Sequence, residues 1–184
     1  MTTRISAQQG IDAAVDALQH APEVVDLFAL LRFVEATAPG RPRLGYTQTP
    51  RDDAIRLGQY PSSSFAPTAV AGIEPRGLRP APLVRVLSLG LFGPNGPLPL
   101  HITEYVRDRI RNQNDPTLVA FADIFHHRAL SLFYRAWADA QPTVQMDRPG
   151  NNRFAVHLGS LTGQGLASMR GRDSVEDHAK LFAS

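Results

Sequence analysis

Two adjacent histidines, His126 and His127, are the residues of this 184-residue chain most suggestive of chemistry. Their spacing argues against a shared metal. Neighbours on a helix diverge by about 100°, so the two rings cannot both ligate one ion. A zinc helix needs His at i and i+4 with a Glu between, and that pattern is absent. Asp123 and His127 form an i,i+4 pair, which reads more simply as a surface contact. His101 and Glu104 stand three apart with no third ligand in sight. The chain has no cysteine, which removes disulfides and thiolate metal sites. No metal is expected at His101, His126 or His127.

Other chemistry fares no better. The stretch Gly93 to Gly96 lacks both the Lys-Ser/Thr end of a P-loop and the GxGxxG spacing. Gly93, Pro94, Asn95, Gly96 and Pro97 read instead as a rigid strand-to-helix turn. Ser62 to Ser64 carries no nucleophile-elbow signature. Carboxylates occur singly or beside arginines, so no acid/base pair stands out. The residues therefore point to no catalytic site and no cofactor. A small-molecule enzyme with an unrecognised site is the alternative from another class, and a deep pocket with convergent polar groups would favour it.

The elements that position these residues suit an assembly part. Hydrophobic residues make up 43% and charged ones 20%, so a core of useful size is available. Net charge is +2, and the basic residues are scattered singly, without the clustered stripe of a nucleic-acid binder. The polar N-terminus lacks a signal-peptide core, and no apolar run approaches a membrane span. A cytoplasmic protein is expected, reaching a membrane only through partners.

Helical spacing predicts helices over about Ala7–His20, Glu23–Ala36 and Leu100–Asn112. Asp115-Pro116 is a helix start, and Pro142 ends a fourth helix of roughly 26 residues, about 39 Å long. Its stripe includes Phe121, Phe125, Leu132, Phe133 and Trp137, expected to lie in a core. Strands are predicted at Ala54–Gln59 and Leu83–Phe92, and a short one through Phe154, Val156 and Leu158. Asp173 or Ser174 could cap a last helix. The fold class is α+β: a long central helix, shorter helices, a small sheet and extended proline-rich loops. Residues 1–150 read as a core region and 151–184 as the start of a further, truncated one.

The proline-rich segment Tyr60–Pro82 carries Phe65, Val70, Ile73 and Leu78, which a monomer has little reason to display together on a loop. Either these residues bind a partner, or they fold back to cap the chain's own sheet.

At Leu89–Arg109, LGLFGPNGPLPLHITEYVRDR, the sequence closely resembles the signature of the TssG family of type VI secretion. NDPTL at Asn114–Leu118 follows, and then DIFHHR and FYRAW within Phe121–Ala140. The runs Asp26–Glu35, Gln59–Pro67 and Arg172–Phe182 also resemble family segments. The resemblance implies a non-enzymatic, cofactor-free structural component of the baseplate wedge. It implies assembly with TssF and contacts with TssE and with TssK, the link to the inner membrane. Family members are usually much longer, so a C-terminal half is expected to be missing. The alternative within this class is a wedge or adaptor protein of another phage-tail-like contractile particle.

Overall fold

The computed structural model describes residues 26–74, 81–147, 152–161, 163, 165, 166 and 168. The helices expected at Ala7–His20 and after Asp173, and the side chain of Leu78, lie outside these residues. The chain divides into two compact units between Trp137 and Ala138.

Asp26 opens helix α1, Leu27–Thr37, by accepting the Ala29 N–H at 2.9 Å. Leu27, Leu30, Leu31 and Val34 are buried along one stripe, as helical spacing requires. Pro39 follows closely and prevents continuation.

Three short strands form one mixed sheet in the order β1-β3-β2: β1 Arg56–Gln59, β2 Val70–Glu74 and β3 Leu83–Val86. β1 runs parallel to β3, with Leu57 opposite Val84 and Gln59 opposite Val86. β2 runs antiparallel to β3, with an irregularity between Val70 and Gly72. Val70, Val84, Val86 and Leu57 are buried together on one face. The strand β2 was not legible as one: Gly72 and an extra residue at Ala71 interrupt its alternation. β3 is shorter than Leu83–Phe92, because Leu89 turns into the left-handed region (φ 61°) and ends the ladder.

The turn after it is a β-turn, with Gly96 N–H donating to Gly93 C=O at 3.0 Å and Pro94 second in the turn. Gly93 has φ +94°, which favours glycine, and its N–H donates to the buried Thr103 hydroxyl at 2.9 Å. Helix α2, Leu100–Gln113, starts behind Pro99 and ends on left-handed Asn114. Its Val106 packs with Phe92, Val119 and Ala122 in one buried cluster.

Helix α3, Thr117–Ala140, is the longest element. Asp115 accepts the Thr117 N–H at 3.0 Å and pairs with Arg109. Hydrogen bonds from Thr117, by side chain and backbone, and then from Arg109 hold this carboxyl at about 2, below its ordinary 3.8. A carboxyl depressed in the fold stabilises it above the unfolded value and loses that contribution as pH falls through the folded one. Stability should therefore drop between about pH 4 and pH 2. Asp115→Asn, which keeps an acceptor without titrating, should flatten that limb in a pH series of unfolding midpoints.

The second unit contains α4, Pro142–Met146, and α5, Arg153–Leu161. The segment expected as a strand through Phe154, Val156 and Leu158 is helical. Asn152 caps it by accepting the Ala155 N–H at 2.9 Å, and Gln145 accepts the Phe154 N–H at 3.0 Å. Local capping outweighs the period-2 pattern there.

Candidate interaction surface

One side of α3 is inward and polar where it meets the sheet. Parallel pairing leaves the N–H groups of Leu57 and Gln59 on the outer edge of β1 without a strand partner. Side chains of α3 take both. His127 Nδ1 accepts the Leu57 N–H at 3.1 Å, and Asp123 Oδ1 accepts the Gln59 N–H at 3.0 Å. Because His127 Nδ1 accepts, its Nε2–H is the donor to Asp53 at 2.8 Å. The expected Asp123–His127 surface pairing is thus corrected: His127 is buried and pairs with Asp53, and Asp123 pairs with His126.

His126 repeats the logic one position earlier and about 100° round the helix. Its Nε2 accepts the Leu91 N–H at 3.0 Å, so its Nδ1–H faces Asp123 at 3.0 Å. Gln59 holds the same segment from below, accepting the Phe92 N–H at 2.9 Å and donating to the Phe92 carbonyl at 2.8 Å. The histidine pair is therefore a two-way fastener. One ring fixes β1 and the other fixes the chain after β3.

Arg85 of β3 reaches Asp123 at 2.6 Å and Glu74 at 3.1 Å. Gly58 leaves the room for this approach: a Cβ there would lie 2.6 Å from Asp123 Oδ2. Gly58→Ala should displace a carboxylate that β1, β3 and His126 all use. A loss of about 1–3 kcal/mol is expected in denaturant unfolding. Further along α3, Tyr134 donates to buried Glu35 of α1 at 3.1 Å, and Glu35 also accepts the Leu44 N–H at 3.0 Å.

These polar ties decide which face of α3 points inward, and the choice corrects the expected core. Val119, Ala122, Leu130 and Tyr134 are buried. Phe121, Phe125, Leu132 and Phe133 are exposed by 58%, 55%, 40% and 49%. The helix is apolar round most of its girth, so periodicity alone fits either face. The need to satisfy the strand-edge N–H groups selects the one carrying His126, His127 and Asp123. Trp137 is half-buried and stacks on Phe28 of α1 at 4.9 Å.

The outward side of α3 carries one exposed charge, Arg128, which points towards the Thr47 carbonyl at 3.5 Å. Leu118, Phe121, Ile124, Phe125, Leu132 and Phe133 occupy the rest with alanines. Beside them lies a groove of about 970 Å³ between α3 and the segments Ser64–Ala69 and Leu87–Gly96. No charged residue lines it, and the ring nitrogens of its one histidine, His126, both have partners. The arrangement offers apolar area, with no free acid or base among the lining residues.

Of the residues singled out for partner contact, Phe65 stands on the rim of this groove, 78% exposed. Val70 is fully buried in β2, and Ile73 is half-buried in the same strand. That part of the loop folds back on the chain's own sheet.

The described fold is thus a small mixed sheet tied to one long helix whose other side is apolar. The family model for type VI secretion, TssG, matches residues 21–184, and the chain belongs to that family of baseplate components. No curated protein and no solved structure matches the chain. Among the described residues no helix is long and apolar enough to cross a membrane.

Proposed function

We propose that this chain is a structural, non-catalytic subunit of the type VI baseplate wedge, assembling with TssF-like subunits and contacting TssK- and TssE-like ones. It works in the cytoplasm and reaches the inner membrane through those partners. The observation that carries this reading is the outward side of α3. With aromatic side chains presenting about 150–250 Å² each, its exposed fractions and those of Phe65 and Leu89 amount to roughly 600–800 Å². A typical monomer's largest apolar patch is about 300–600 Å², and each partner in a standard interface contributes about 800 Å². The positions 118, 121, 125, 129, 132 and 136 follow the three-and-four spacing of a helix–helix seam. The small side chains Ala129 and Ala136 let another backbone approach. The occupant that fits is a partner helix with an apolar, uncharged face.

The experiment is co-expression of the full chain with the TssF-, TssK- and TssE-like subunits of the same organism, followed by purification on a tag carried by this chain. At least one subunit should co-purify in stoichiometric amount. Recovery of this chain alone, folded and monomeric, contradicts the reading.

A further inference from the structure

Among the described residues, the non-glycine ones at positive φ are Asn114, whose residue type tolerates it, and Leu89, whose type does not. The Leu89 φ of 61° is left-handed, where a Cβ crowds the backbone, and its neighbour in sequence is a glycine. The backbone on both sides is fixed. The Leu87 N–H donates to Ala69 C=O at 2.9 Å, and Leu91 and Phe92 are held by His126 and Gln59. The strained residue is thus imposed by its surroundings. A glycine would meet the same requirement without crowding. The leucine side chain does not offset the strain by burial, since the residue is 51% exposed. It lies instead on the uncharged groove, with Phe65, Phe125 and Phe133 among the other lining residues.

We propose that Leu89 is an anchor for the docked partner, a side chain kept in a strained position because it inserts against the apolar face of a partner helix. This rests on the reading of the α3 side as a wedge interface and assigns the groove's specificity to one residue. Set in an uncharged groove beside Phe65, Phe125 and Phe133, the side chain would be fully desolvated by a docked helix, the setting in which single contacts carry most binding energy. The occupant must present apolar side chains there, because a charged group would be buried without a counter-ion.

The test uses the full chain as wild type, Leu89→Gly and Leu89→Ala, with the TssF-like subunit as the probe in a quantitative binding assay. Leu89→Gly removes the side chain and the strain together. Its melting temperature should stay level or rise by about 2–4 °C, while affinity for the probe falls at least tenfold. Leu89→Ala keeps the strain, so it should lose affinity equally and melt below Leu89→Gly. A Leu89→Gly protein that melts clearly below wild type overturns the proposal, because the side chain then serves the chain's own packing. Unchanged affinity in Leu89→Gly, with affinity lost in Phe125→Asp, overturns it while leaving the interface reading standing. If wild type itself does not bind the probe, this inference fails as stated. Capture of the TssK- or TssE-like subunit in its place would show that the interface reading survives.

Discussion

His127→Ala should destabilise the chain by about 3–5 kcal/mol, with the loss read as a shift of the denaturant unfolding midpoint at unchanged slope. His127 is 3% exposed, and its imidazole stands between two groups that have nothing to replace it. Removing it strands the Leu57 N–H on the covered edge of β1. It also takes a hydrogen bond from the Asp53 carboxylate, itself 2% exposed, which keeps only its other oxygen's bond from Thr47 at 2.8 Å. A buried polar group left without its partner costs far more than the bond was worth. His127→Leu combined with Asp53→Leu should be less damaging than the sum of the two single changes, because it removes the orphaned carboxylate with the ring. A double-mutant cycle measures that coupling directly. If the two losses simply add, the His127 ring and the Asp53 carboxylate do not act as a pair.

Much of the frame was legible from residues. Asp115-Pro116 and Pro142 bracket α3, the expected strand Ala54–Gln59 contains β1, and the Gly93–Pro97 turn follows from its own composition. What escaped reading has physical causes. The stripe Phe121, Phe125, Leu132 and Phe133 is as periodic as the buried one, and only the unpaired N–H groups of β1, distant in sequence, break the tie. His126 and His127 looked like a failed metal site because their real acceptor role depends on backbone donors at Leu57 and Leu91. Asp53, Gln59 and Arg85 gave no signal of their bonds to His127, Phe92 and Asp123, since each of these spans more than thirty residues. β3 stops early because one leucine adopts a conformation that no propensity assigns to it. The short stretch through Phe154, Val156 and Leu158 read as a strand because these three apolar residues alternate, and the Asn152 cap decided otherwise.

A large residue on the outward side of the same helix should behave in the opposite way. A buried phenylalanine truncated in a core costs about 3–5 kcal/mol. Phe125, 55% exposed, should cost far less: Phe125→Asp is expected to change unfolding stability by no more than about 1 kcal/mol, mostly through helix propensity. Binding should respond differently. A charge placed at the centre of an uncharged interface must be desolvated without a counter-ion, so affinity for the captured subunit should fall at least about a hundredfold, the scale of a hot-spot loss. Arg128→Ala, on the same side but turned towards Thr47, is the neighbouring control and should leave affinity within a few-fold. The decisive measurement is therefore the affinity of the Phe125→Asp chain for the TssF-like subunit, taken beside its unfolding midpoint. The account predicts near-wild-type stability with binding abolished. Wild-type binding by the folded variant would contradict it.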